Sequence, residues 1–323
     1  MRLSSVRKIL FITLSNIGDV VLTLPVLSSL KDNFPDAIID VVVGPRPQEI
    51  FQKDPRVSKV FIYDKHAGLK DKIVFIRKLK AERYDLAIDM KTSLLPALIM
   101  AKNRSTLFTG RRPGMRHKRL IHLEKLKPFE IIYREQKNIY VDSEARKKIE
   151  GVLQKNGVKD TDIIIGVCPG SKSHLKQWKK QGFADVINSL LNNPGYKVIL
   201  IGDMREAGLS GEIATAIKQP GLVNLTGETS LNELFALVEK FNLLLTGDSA
   251  SMHIASDFGV KVVAIFGPTD SEEYGPRGGK DIAICKKLKC SPCKKAQCKF
   301  ETHECMIAIS AEEVLGAIKM ILG

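Results

Sequence analysis

Short apolar runs alternate with amphipathic stretches along most of the chain. Arg7–Leu14 (RKILFITL) reads as a buried strand, Gly18-Asp19 as a turn and Val20–Asn33 as a helix. Ile38–Val43, Val57–Tyr63 and Tyr84–Asp89 read as strands, with a helix over Lys70–Glu82. A charged helix over about Ser143–Asn156 precedes Gly157 and the polar stretch Lys159–Asp162. The rhythm then restarts. Ile163–Cys168, Lys197–Gly202, Leu222–Leu225, Leu243–Thr246 and Val262–Phe266 read as strands. Phe183–Asn192, Gly208–Lys218, Leu231–Lys240 and Met252–Phe258 read as the helices between them, and Ala311–Leu322 as a terminal helix. Strands alternating with helices predict parallel sheets joined by right-handed crossovers.

The 323 residues exceed what one hydrophobic core usually serves. The break near Gly157 therefore predicts two α/β domains, 1–158 and 159–323, facing one another across a cleft. Composition is that of a folded protein, with 44% hydrophobic and 27% charged residues. No run of apolar residues is long enough to span a bilayer, and the apolar stretch Ile9–Leu14 is too short for a leader. A cytoplasmic location is the expectation.

Charge sharpens the division. Residues 1–150 carry 30 Lys+Arg against 17 Asp+Glu, whereas residues 151–323 carry 20 against 19. Lys102–Arg119 holds seven of the cations, among them Arg111, Arg112, Arg116 and Arg119, with no acid. Such a field suits a polyanion: nucleic acid, anionic lipid or a phosphorylated acceptor. The alternative is a plain solvated surface, against which the confinement of the excess to one half argues. Only Phe108 lies within the segment to stack on bases, which disfavours nucleic acid.

Polar residues cluster where strands are expected to end. Asp19 follows Gly18 at a strand-to-helix turn, where it is either a helix cap or a carboxylate presented for chemistry. Pro169-Gly170-Ser171 leads through Lys172, His174 and Lys176 to Trp178, a loop suited to a diphosphate or simply an exposed loop. Asp248, Ser249 and His253 open a helix, but residues on one turn cannot form a hydrolytic triad. Gly267-Pro268-Thr269-Asp270 reads as a turn. No G-x-G-x-x-G follows the first strand, and Gly275–Asp281 lacks the spacing of a P-loop.

Together these motifs resemble glycosyltransferase family 9, the ADP-heptose:lipopolysaccharide heptosyltransferases. The resemblance rests on Ile17-Gly18-Asp19-Val20 with Leu22–Pro25, Pro169–Ser171 with Lys176 and Trp178, Asp248–His253, and Gly267–Asp270, in that order. It implies a GT-B fold, two Rossmann-like domains with the acceptor in the first and the nucleotide sugar in the second. It further implies metal-independent, inverting transfer of a heptose to a phosphorylated inner-core acceptor at the inner-membrane surface. Asp19 matches the family's general base and Lys176 its diphosphate-binding lysine. Gly170, Ser171, Asp248, Ser249, Ala250 and His253 match the donor pocket. Glu206 falls where the family holds the ribose and Thr229 near the adenine. Ala250 departs from the glycine common at that place. Arg111, Arg112, Arg116 and Arg119 are the expected acceptor contacts, on the strength of their charge.

Cys285, Cys290, Cys293, Cys298 and Cys305 crowd the segment 285–305. The spacing C-x2-C-x4-C-x6-C over Cys290, Cys293, Cys298 and Cys305 could hold one structural zinc or remain free thiols. Asp160-Thr161-Asp162 mimics a metal-binding D-x-D but falls in a linker. Two other functions compete: a different nucleotide-sugar enzyme, such as an epimerase or a transferase with another donor, and a basic membrane- or nucleic-acid-binding α/β protein.

Overall fold

The structure, a computed structural model, describes Leu3 and residues 6–105 and 117–323. The chain divides into two compact units, Met1–Tyr140 and Val141–Gly323. The first contains strands β1 (Lys8–Ile12), β2 (Ile38–Val43), β3 (Lys59–Ile62), β4 (Leu86–Asp89) and β5 (Asn103–Arg104). They form one parallel sheet in the order β3-β2-β1-β4-β5. The second contains β6 (Ile163–Cys168), β7 (Tyr196–Leu200), β8 (Leu222–Asn224), β9 (Leu243–Gly247), β10 (Lys261–Phe266) and β11 (Ile282–Cys285). These are also parallel, in the order β11-β10-β9-β6-β7-β8. The central strands are apolar and buried along almost their whole length, as sheets covered on both faces require.

Each sheet reverses its strand order once, between β1 and β4 in the first unit and between β6 and β9 in the second. Chains leaving two such strands part to opposite faces, so the carboxyl ends of those strands open a crevice where ligands bind. These two switch points place the candidate chemistry.

Three sequence expectations are corrected. The helix expected over Val20–Asn33 is two helices, Ile17–Val21 and Leu24–Asn33. Pro25 lacks an N–H and sits in the first turn of the second, where none is needed. The boundary expected after residue 158 lies instead between Tyr140 and Val141. The helix Ser143–Lys155 buries Ala145, Ile149 and Leu153, its i, i+4 and i+8 stripe, and packs with the helix Leu231–Glu239 of the second unit. Arg146–Glu239 at 2.8 Å and Lys148–Glu233 at 2.6 Å frame that contact. Finally, β5 and β11 form edge strands that the apolar pattern did not mark.

Candidate active site

In the second unit the loop after β6 and the loop after β9 leave adjacent strands at the switch point. Lys176 closes the short 3-10 turn His174–Lys176 and reaches Asp248, with Nζ 2.6 Å from Oδ2. Its carbonyl oxygen lies against Gly247, where a Cβ would sit only 3.0 Å from it, so the strand end must be bare for the loop to cross. Ser249 is the N-cap of the helix Ala250–Phe258; its Oγ accepts from Met252 N–H and pairs with Thr246 Oγ1 at 2.8 Å. The free N–H groups of that first turn and the Lys176 ammonium together suit a diphosphate. His253 is buried one turn further on.

Glu206 completes the neighbourhood. Asp203 and Glu206 form a capping box, with Asp203 N–H donating to Glu206 Oε2 at 2.9 Å. A Cβ on Gly170 would overlap the Glu206 carboxyl carbon, so this glycine is what lets the carboxylate lie across the loop that follows β6. Burial pushes the Glu206 carboxyl above its usual range. Burial, with the Glu206 charge adding to it, pushes the Cys168 thiol up to about 11, so Cys168 is an inert core group. Thr229 lies half-buried just before the helix Leu231–Glu239. Gly170, Ser171, Lys176, Glu206, Asp248, Ser249, Ala250 and His253 thus all sit on loops or helix starts at the carboxyl edge of β6, β7 and β9.

In the first unit Asp19 lies in the opening turn of the helix Ile17–Val21, directly after β1. It is not the cap. Asn16 occupies that position, and its Nδ2 donates to Asp19 Oδ2 at 2.9 Å. The carboxylate is partly exposed and oriented by one amide. Of the basic residues expected to meet an acceptor, Arg111, Arg112 and Arg116 lie outside the described residues. Arg119 donates to Tyr133 and to Glu135, the latter at 2.6 Å.

Sequence reasoning missed a second group at this edge. Asp89, the last residue of β4, accepts from the backbone N–H groups of Lys91 and Ser93 and from Ser93 Oγ, each at 2.7 Å. Lys125, buried, donates to the Asp89 carbonyl and to Thr92 Oγ1. The only sequence signal was an acid at a strand end followed by Lys91-Thr92-Ser93.

The cysteine segment packs against the loops that follow β6 and β10. Ser291 Oγ donates to the Gly267 carbonyl at 2.5 Å and Lys294 N–H to the Pro268 carbonyl at 2.8 Å. The rings of His174 and His303 lie 5.7 Å apart, and Trp178 Nε1 donates to the Ile309 carbonyl at 3.0 Å. A cavity of about 340 Å³ is lined by Leu175, Pro268, Cys290, Cys293, Cys298 and Cys305, among others. The structural zinc considered for Cys290, Cys293, Cys298 and Cys305 is not supported. Among the described residues no group of three or more His, Cys, Asp or Glu side chains is arranged to hold a metal ion. The spacing was suggestive, and the four free thiols line one cavity, but among the described residues they do not make up a metal-holding group. No helix among the described residues is long and apolar enough to cross a membrane.

Residues 73–303 match the family model described as glycosyltransferase family 9 (heptosyltransferase). The chain is 31% identical over 285 residues to lipopolysaccharide heptosyltransferase 3 of Escherichia coli K12, covering 80% of this chain and 82% of that protein. Among solved structures it resembles a glycosyl transferase family 9 protein from Veillonella parvula, with a TM-score of 0.83, 24% identity and coverage of 98% and 97% of the two chains. It also resembles E. coli ADP-heptose lps heptosyltransferase II, with a TM-score of 0.76, 21% identity and 98% coverage of both chains.

Proposed function

The chain belongs to glycosyltransferase family 9 and is a heptosyl-transferring enzyme, and from that membership we propose that it moves a heptose from ADP-heptose to a phosphorylated inner-core lipopolysaccharide acceptor, with inversion and without a catalytic metal. The observation that carries the donor assignment is the Lys176–Asp248 pair, which fixes an ammonium beside the N-terminus of the helix Ala250–Phe258.

The steps follow from the groups present. Asp19 takes the proton of the acceptor hydroxyl as its oxygen bonds to the anomeric carbon. The bond from that carbon to the diphosphate oxygen breaks, and ADP departs with the electron pair. Attack opposite the leaving group inverts the centre, and no covalent sugar–enzyme intermediate is needed. Charge growing on the diphosphate meets Lys176 and the N–H groups of Ser249 and Ala250, where preorganised positive charge acts most strongly on the transition state. Glu206 accepts hydrogen bonds from the ribose, and Thr229 borders the adenine. The cationic excess of the first unit draws the anionic acceptor and the inner-membrane surface on which it lies.

Calorimetric titration of the full chain with ADP, UDP and GDP tests the donor. The expected result is binding of ADP at least about tenfold tighter than either other nucleotide, a difference of about 1.4 kcal/mol. A preference for UDP would favour the competing reading, another nucleotide-sugar enzyme on the same scaffold.

A further inference from the structure

The loop after β4 holds more positive charge than its one carboxylate balances. Both Asp89 oxygens are engaged by Lys91 N–H, Ser93 N–H and Ser93 Oγ, so the acid organises the turn Met90–Ser93. Thr92 takes φ +58°, a left-handed conformation costly for a β-branched residue, which presents its hydroxyl to Lys125 at 3.1 Å. Lys125 is only 4% exposed. It spends two of its three N–H groups on Asp89 and Thr92, and neither acceptor there is an ionised oxygen. The Lys91 ammonium lies 5.3 Å from the centre of the Tyr63 ring and forms no hydrogen bond or ion pair among the described residues. Burial lowers the proton affinity of both lysines, as two cations withdrawn from water beside a single, already engaged acid must.

Position gives this cluster meaning. Met90 N–H donates to the Ile12 carbonyl at 2.8 Å, so the turn leaves β4 beside the exit of β1, the strand that leads to Asp19. That is the switch point of the first sheet. A fold that keeps two partly desolvated ammonium groups beside a single carboxylate at a ligand-binding edge gains from them when an anion arrives.

We propose that Lys91, Lys125 and the turn Met90–Ser93 form an oxyanion subsite that holds a phosphate or carboxylate substituent of the acceptor sugar. The subsite positions the acceptor hydroxyl relative to Asp19; it rests on the acceptor reading given above but not on the identity of the donor.

The test is titration of the full chain with inorganic phosphate and, separately, with acetate. Saturating ADP is present to fill the second unit's phosphate loop. Wild type is compared with Lys91→Met and Lys91→Arg. The expected result is phosphate binding weakened about tenfold in Lys91→Met and largely retained in Lys91→Arg, as for loss of one charge-assisted contact. Acceptor KM should rise in parallel while donor KM and the thermal midpoint stay at wild-type values. A stronger response to acetate than to phosphate would assign the subsite to a sugar acid; the reverse assigns it to a sugar phosphate. If wild type binds neither anion, or if Lys91→Met binds both as wild type does, the proposal is overturned. If ADP fails to bind but phosphate binding still depends on Lys91, the donor reading falls and the subsite stands.

Discussion

Replacing Asp19 by alanine is expected to lower the rate of heptose transfer by about 10²–10⁴-fold, the range for loss of a general base. ADP affinity should remain at the wild-type value. The expectation follows from where the residue sits. Asp19 belongs to the first unit, after β1, whereas every residue assigned to the nucleotide lies in the second unit, after β6, β7, β8 or β9. The carboxylate is partly exposed and held by the Asn16 amide, so removing it leaves no buried charge behind and costs the fold little. Asp19→Asn should behave like alanine, because the amide keeps the shape but takes no proton. A rate within a few-fold of wild type, measured by release of ADP under saturating acceptor, would remove Asp19 from the base role.

Lys176→Met is expected to act on both binding and rate. The substitution removes the cation proposed to meet the leaving diphosphate, for which losses of about 10²–10³-fold in kcat are typical when one preorganised donor is deleted. It also strands Asp248, whose side chain is only 9% exposed, as an unpaired negative charge beside the diphosphate. ADP should therefore bind more weakly than removal of a lysine alone would cause. The double variant Lys176→Met with Asp248→Asn separates these effects. It should recover part of the ADP affinity and none of the rate. Recovery of the rate as well would mean that Lys176 serves only to neutralise Asp248.

The two cases differ in how far they could be read before the fold was known. The strands β1, β2, β4, β6, β9 and β10 are apolar runs bounded by turn residues, and their pattern sufficed to place them. The motifs at their ends carried Asp19, Lys176 and Asp248 through resemblance. Geometry then supplied what spacing could not. It showed that Asn16, not Asp19, occupies the cap position, and that Lys176 meets Asp248 across 72 residues of sequence. The unit boundary was misplaced because the charged helix Ser143–Lys155 shows an apolar stripe but not the surface that covers it. The edge strands β5 and β11 were missed because two and four residues with little alternation give no periodic signal. The Asp89–Lys125 cluster was invisible for a simpler reason: its members are 36 residues apart and no local pattern joins them. Conversely, the cysteine spacing looked like a metal site, yet ligand geometry depends on where the loop directs each thiol.

The enzyme's central step is observed most directly by incubating the full chain with ADP-heptose and heptose-deficient inner-core lipopolysaccharide in the presence of a metal chelator. Acceptor mass and the configuration of the new linkage are then followed together. The expected outcome is a mass gain of one heptose, one ADP released for each sugar transferred, an anomeric configuration opposite to that of the donor, and no effect of the chelator. Retained configuration, or release of ADP and free heptose with the acceptor unchanged, would contradict it.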